Sequence, residues 1–578
     1  VRWFVLPELR DCLLGANGLR LDDWLRDGAA RIVKHGPHQS VYHVRLDGLD
    51  FHLKQYHVGN VRAWMRSLLR PAKARMECDR ALALVQRGLP TFTPIALGEC
   101  DSSGSSFLLT RTLENTRTLA DFLEITLPTM AEPRRTRLRI RLAGALGRFV
   151  AQMHDAGVVH HDFHAGNLLV RLLDNDHFEI FLIDLHAVRL GPPLGWKARR
   201  ANLVVLNRWF VLRSDRTDRR RFWYAYHAAS DPKLSTLPRH PEEARTLARD
   251  LEEATWRSNL AFWANRDRRC LTTNRYYERL HGPAADGIAV RDLAPDVVRS
   301  LLTDPDGPFL RDDARFLKDS RSTTLVEFEA NLGGTRRMLV YKRFRLRAWH
   351  EPWTTLARLS AAMRSWVFGH GLRERWLPTP RPLLILHRRR CGLSAEGYLL
   401  AEKIEDAGDL HDFAAFVRRL PATQQQPVLR RRLEAVARLI RELHRRLLSH
   451  RDLKATNLLT RLEGNRSASS FCPRGDASIA APVSPPMDGD DVVWLIDLVG
   501  MTRRTRLTRL RKVRDLARLH ASFVHDPLLS RSNKLRFLRV YLQFGLFGKS
   551  EWKSWWRDID AATQAKVERN RRLGRPLW

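Results

Sequence analysis

The sequence predicts an α+β chain built from two tandem copies of one two-lobed unit, each a small β-rich lobe followed by a larger helical lobe. Three observations carry this. A loop that follows an apolar run occurs twice, as HHDFHAGNLL from His160 and as HRDLKATNLL from His450. Each loop is followed by a second apolar run that ends in aspartate, Phe181 to Ile183 before Asp184 and Val493 to Ile496 before Asp497. At 578 residues the chain is too long for one ordinary core, and the duplication divides it into units of roughly 280 residues each.

Taken in order, RIVKHGPHQSVYHVRLDGLDFHLKQYH alternates apolar residues around Asp47 and Gly48, a hairpin signal that places Lys54 in the second strand. Helix-prone sequence from about Asn60 to Arg87 carries Glu77, and Gly88 is positioned to stop it. Leu89, Pro90 and Thr91 turn into another strand, after which SSFLLTRTLENTRTLADFLE reads as a strand, a connector between lobes and a helix start. A helix from about Arg134 to Ala156, apolar at Leu142, Leu146, Val150 and Met153, feeds the loop at His160. Residues 1–281 form the first predicted domain, and 282–308, rich in Gly, Pro and Asp, read as a linker. Residues 309–578 form the second domain, with a flexible Ser/Pro/Gly-rich insertion at about 462–490.

The residues that recur are those of phosphoryl transfer. A carboxylate such as Asp162 can accept a hydroxyl proton, while an amide and a second carboxylate, Asn167 and Asp184, can hold Mg²⁺ bridging nucleotide phosphates. A strand lysine paired with a helix glutamate, Lys54 with Glu77, aims an ammonium at those phosphates. In this order the five residues match the roles a protein-kinase-like fold requires. The histidines of HHDFH also suggest a metal centre, but the second loop has Arg451 and Lys454 where the first has His161 and His164, which argues against one.

With these motifs the chain resembles the lipopolysaccharide kinase (Kdo/WaaP) family of bacterial protein-kinase-like enzymes, over most of both halves. The resemblance implies two tandem protein-kinase-like domains, ATP with Mg²⁺, and phosphorylation of a Kdo or heptose hydroxyl on the lipid-linked core at the cytoplasmic face of the inner membrane. It implies that Asp162 is the base, that Lys54 and Glu77 serve the nucleotide, and that Asn167 and Asp184 hold metal. In the second domain Lys342, Asp452, Asn457 and Asp497 take the matching places. Ser40 and Ser322 fall in the phosphate-loop positions, within the glycine-poor segments HGPHQS and DSRSTT. Counting back from LPT, Ser365 occupies the place of Glu77, so the second domain is a candidate for a weakened or purely binding copy. HRDLK alone favours the alternative of a protein serine/threonine kinase, but no APE signature follows either metal-binding aspartate.

A net charge of +35 favours an anionic partner, such as a phosphorylated glycolipid, a membrane surface or a nucleotide. Only 14 of the 99 basic residues are lysine, an arginine excess that genomic base composition explains equally well. No nucleic-acid module is recognised, so no such partner is expected. The six cysteines are scattered without a CxxC pair, which fits a reducing cytosol. No apolar run nears the roughly 20 residues of a membrane span, and the first residues lack a signal-peptide centre. A cytoplasmic protein peripheral to the membrane is therefore expected. Trp552, Trp555, Trp556 and Ile559 fall on one helical face near the C-terminal end, a pattern that suits either an interfacial helix or core packing.

Overall fold

A computed structural model describes the chain except for residues 17, 37–38, 59–70, 101–103, 235–236, 239, 313, 347–357, 391–392, 463–491, 543–550 and 575–578. The predicted insertion at 462–490 and the first part of the helix predicted from residue 60 lie outside the described residues. The chain divides into two compact units, Val1–Asn259 and a second from Leu260 onward.

The small lobe of the first unit is an antiparallel sheet of six strands: β1 (Arg2–Val5), β2 (Ala30–Lys34), β3 (Gln39–Leu46), β4 (Leu49–Tyr56), β5 (Pro94–Glu99) and β6 (Ser106–Arg111). Their spatial order is β1-β5-β6-β4-β3-β2. Asp47 and Gly48 close the β3–β4 hairpin, with Gly48 at φ +74°, the left-handed conformation a two-residue turn needs. Alternation on β4 buries Leu49, Phe51 and Leu53. Helix α1 (Lys73–Gln86) buries Ala74, Glu77, Ala81 and Leu84, a helical stripe that carries one carboxylate into the interior.

The larger lobe starts with α2 (Arg134–Asp155), whose Leu138, Leu142, Leu146, Val150 and Met153 are buried. Short strands β7 (Val158–His160), β8 (Leu168–Leu172), β9 (Phe178–Leu182) and β10 (Val188–Leu190) follow. Pairing of β7 with β10 and of β8 with β9 folds the two predicted loops back on each other. Helices α3 (Trp196–Arg213), α4 (Arg216–Ala229) and α5 (Pro241–Arg266) complete the lobe.

The second unit repeats the plan with one more strand. Its sheet contains β11 (Tyr277–His281), β12 (Ala285–Val290), β13 (Arg315–Ser320), β14 (Thr323–Leu332), β15 (Thr335–Phe344), β16 (Pro382–Arg390) and β17 (Leu393–Glu402). They are ordered β11-β12-β16-β17-β15-β14-β13. Residues 282–308 are therefore not a linker: they carry β12 and a helix, Pro295–Thr303. Gly287, read as a sign of a linker, sits where β16 presses closest, and a Cβ there would meet the Ile385 carbonyl at 1.9 Å. The N-terminal residues supply β1, paired with β5.

Helix α6 (Ala361–Glu374) takes the place of α1, and the helical lobe contains α7 (Leu410–Arg419), α8 (Ala422–Arg445), α9 (Arg509–Ala521), α10 (Arg531–Leu542) and α11 (Glu551–Arg572). Trp555 is buried in its core, with Trp552, Trp556 and Ile559 packed against the same cluster. The apolar face of α11 thus serves core packing. Among the described residues no helix is long and apolar enough to cross a membrane.

Both large lobes bury a histidine at the end of the helix that feeds the catalytic-type loop. His154 Nδ1 meets the Tyr226 hydroxyl at 2.9 Å and Nε2 meets Asn202 Oδ1 at 3.1 Å. Burial lowers its pKa from 6.5 to about 3. The folded state therefore keeps His154 neutral while the unfolded chain protonates it below pH 6.5. This contribution is complete above that pH and is lost as the pH falls toward 3, at about 1.4 kcal/mol per pH unit. Urea unfolding of the full chain at pH 7.5, 6.5 and 5.5 should show stability falling with acidification, with a shallower slope in His154→Gln. An equal slope in the variant would contradict this account.

Candidate active site

In the first unit the residues singled out from sequence are linked by hydrogen bonds that flank Asp184 on both sides along the backbone. Lys54 Nζ donates to Glu77 Oε1 at 2.5 Å. The same carboxylate oxygen accepts the Leu185 amide at 3.1 Å, one residue beyond Asp184. The Ile183 amide, on the other side of Asp184, donates to the Asn167 carbonyl at 3.1 Å. Asn167 Nδ2 in turn donates to the Asp162 carbonyl at 2.8 Å. Lys54, Glu77, Asp184, Asn167 and Asp162 therefore surround one region although β4, α1 and two loops supply them. Thr91 adds a tie between lobes, its hydroxyl donating to the Leu182 carbonyl at 2.6 Å. This gives the LPT segment a structural task, and Thr379 repeats it on the Leu495 carbonyl at 2.7 Å.

Glu77 is fully buried. Its second oxygen accepts a hydrogen bond from Tyr56, whose phenol is held protonated by burial beside the carboxylate. Tyr56 was not singled out from sequence; its place two residues after Lys54 on β4 puts both side chains on the face that α1 covers. Lys54 also lies 5.4 Å from the centre of the Phe92 ring.

The two aspartates differ in setting. Asp184 is left-handed, at φ +60°. Burial works to raise its pKa, but the hydrogen bond from His186 and the charges of Lys54 and His186 prevail and hold it at about 2. It is thus a full anion at neutral pH, one residue after Ile183, whose amide donates to the Asn167 carbonyl. Carboxylate and amide oxygens are the donors Mg²⁺ takes, so the set fits that ion. Asp162 is 65% exposed, open to an acceptor. A hydrogen bond from His164, 3.5 Å away, lowers its pKa against the effect of burial. His164 Nδ1 accepts the Gly166 amide at 3.0 Å, which leaves the ring proton on Nε2, facing Asp162. His160 lies beneath the loop, its Nδ1 accepting the Asp162 amide and its Nε2 against the Ile183 carbonyl.

Ser40 is placed differently from the phosphate-loop expectation. It is fully buried on β3, its hydroxyl bonded to His35 and His57 at 3.0 and 2.9 Å. Ser322 sits in the turn between β13 and β14, and its carbonyl accepts the Arg345 amide.

The second unit keeps the loop and changes the pairing. Asn457 Nδ2 donates to the Asp452 carbonyl at 2.7 Å, and the Ile496 amide donates to the Asn457 carbonyl at 3.0 Å. Asp497 repeats the left-handed backbone at φ +54°. Ser365 is buried on α6 and bonds its own helix at the Ala361 carbonyl. Phe344 stands where the first unit has Tyr56, so acceptor and donor are replaced together. Lys342 lies 4.8 Å from the Phe344 ring centre and donates directly to Asp497 Oδ1 at 2.9 Å. Burial works to raise the pKa of Asp497, but the charge and hydrogen bond of Lys342 lower it.

The sequence model of the lipopolysaccharide kinase (Kdo/WaaP) family matches residues 23–226 and 317–541. Lipopolysaccharide core heptose(I) kinase WaaP of Pseudomonas aeruginosa is 32% identical over 132 residues, 22% of this chain and 48% of that protein. The match thus spans about half the length of that relative. Among solved structures, WaaP in complex with acyl carrier protein is 22% identical, covering 44% of this chain and 99% of the other at a TM-score of 0.32. WbdD is 17% identical, covering 38% of this chain and 49% of the other at a TM-score of 0.24.

Proposed function

The chain belongs to the lipopolysaccharide kinase (Kdo/WaaP) family, and from that premise we propose that it is an ATP-dependent phosphotransferase acting on a Kdo or heptose hydroxyl of the lipopolysaccharide core. The observation that carries this reading is the set of hydrogen bonds that joins Lys54 to Glu77, Glu77 and Asn167 to the backbone on either side of Asp184, and Asn167 to Asp162.

In this reading Glu77 fixes Lys54 toward the nucleotide phosphates, and Asn167 and Asp184 hold Mg²⁺. When bound, that ion neutralises charge on the phosphates. Asp162 receives the acceptor proton as the hydroxyl oxygen bonds to the γ-phosphorus and the bond to the ADP oxygen breaks. Its exposure admits the sugar, and its lowered pKa keeps it ionised. Such catalysis is mostly positioning and charge stabilisation, which a preformed polar network supplies. The acceptor is lipid-linked, so the protein works peripherally at the cytoplasmic face of the inner membrane, where its positive charge favours an anionic surface.

One observation favours a separate reading for the second unit. Lys342 engages the carboxylate that would hold metal, and Ser365 offers no carboxylate to draw it away. The second unit is accordingly a binding copy with little turnover.

The test is a phosphate-transfer assay with ATP and Mg²⁺ on Kdo- and heptose-containing core acceptors, beside generic protein substrates. The expected result is a phosphorylated sugar, abolished by EDTA and restored by Mg²⁺. Transfer to protein alone, or transfer insensitive to EDTA, would overturn the proposal.

A further inference from the structure

The two units differ in charge around the exposed aspartate of their loops. Equivalent positions follow from hydrogen bonds that both units make. His154 and His444 each meet a tyrosine hydroxyl, Tyr226 or Tyr541, and then Asn202 or Asp515. Asn202 donates to the His160 carbonyl, and Asp515 accepts the His450 amide. Asn207 and His520, five residues further along their helices, meet the hydroxyls of Thr255 and Thr563. Counting from these anchors, Arg518 stands where the first unit has Val205, and Lys566 where it has Ser258. In the loops Arg451 and Lys454 stand where the first unit has His161 and His164.

These substitutions converge on Asp452. Lys454 Nζ lies 3.4 Å from Asp452 Oδ2, and the carboxylate is 55% exposed. Asp515 fixes the Arg518 guanidinium at 2.8 Å while its other oxygen holds the loop at Ser449 and His450. On α11, half-buried Lys566 lies one turn beyond Thr563, and exposed Arg569 follows one turn later. Burial lowers the pKa of Lys566; the charges of Arg518, Arg569 and Lys454 lower it further, and Asp452 alone opposes them. Burial likewise lowers that of Arg518, with Asp515 and Asp452 opposing and Arg451 and Arg514 adding to the fall. Arg451, Lys454, Arg518, Lys566 and Arg569 are thus close enough to act on one another or on Asp452. Around Asp162 the leading influences are His164, His160 and Asp184, with no arginine or lysine among them.

Of the five cations, Lys454, Arg518 and Lys566 act on Asp452, and Arg451 and Arg569 add repulsion to Arg518 and Lys566; an anion held among these cations relieves that repulsion. We propose that the second unit binds a saccharide already bearing an oxyanion, a phosphate monoester or a carboxylate, beside the hydroxyl presented to Asp452. The first unit, with neutral or titratable groups at the matching positions, has no such requirement. This inference rests on the reading of the second unit as a copy that binds the sugar with little turnover. For a phosphate-bearing ligand it places the second unit after an earlier phosphoryl transfer to the same saccharide.

The experiment is calorimetric titration of the full chain, in an Asp162→Asn background, with a heptose monophosphate, with Kdo and with the unmodified heptose. The anionic sugars should bind at least about tenfold more tightly than the neutral one, and Lys566→Ala with Arg569→Ala should remove about tenfold or more of that preference. Lys566→Arg should retain it, which a fold defect would not allow. A preference for the heptose monophosphate assigns the site to phosphate, and a preference for Kdo assigns it to carboxylate. Equal affinity for neutral and anionic sugars overturns the inference. So does a double variant that keeps its sugar affinity but no longer binds phosphatidylglycerol vesicles, since the cations would then face lipid. Sugar phosphorylation by the unaltered chain is assayed separately, so its absence counts against the proposed function, and a lost charge preference counts only against this inference.

Discussion

Asp162→Asn should lower sugar phosphorylation by about 10²- to 10⁴-fold, the range for removal of a general base. The fall should appear in kcat, with KM for ATP little changed. In the proposed reading Asp162 meets the acceptor, while Lys54 and Glu77 serve the nucleotide. Its side chain is 65% exposed, so the melting temperature should stay within about a degree or two of the parent, as for most surface substitutions. Asp452→Asn is the paired control. Because Lys342 binds Asp497 in the second unit, that change should leave most of the phosphorylation intact. Equal loss from both substitutions would show that the two units share the chemistry.

The second large effect is expected at Glu77. Its carboxylate serves Lys54, Tyr56 and the Leu185 amide at once, from a position with no solvent exposure. Glu77→Gln keeps the shape but removes the charge that balances Lys54 and turns one acceptor into a donor facing other donors. Breaking a buried charge pair costs about 3–5 kcal/mol. Activity should fall by about 10²-fold or more, since misplacing a positioned group by about 1 Å suffices for that. Unlike Asp162→Asn, this change should also lower the melting temperature and raise KM for ATP. A variant with normal KM and reduced stability alone would make Glu77 a purely structural residue.

The parts legible from sequence were those in which neighbours along the chain are neighbours in space. Asp162 and Asn167 lie in one loop, and Asp47 and Gly48 make one turn. Lys54 and Glu77 are on separate elements, and only their order ahead of the loop made them candidates. Legibility failed where a residue's reason lies far along the chain. Gly287 looked like a linker glycine because the strand that crowds it, at Ile385, comes much later. The strand at Arg2–Val5 was missed for the same reason, its partner being Pro94–Glu99. The aromatic face around Trp555 had two readings until its neighbours were in place. Lys566 and Arg518 lie on different helices, so no spacing could bring them together before the anchors at Thr563 and Asp515 did.

The bond from the Leu185 amide to Glu77 also makes a reporter of one proton. If α1 swings outward, that amide loses its acceptor in the same movement that frees Lys54, so a single exchangeable hydrogen registers both events. Deuterium uptake at Leu185 would then time the opening and closing of the first unit, and a bound nucleotide that draws the lobes together would slow it.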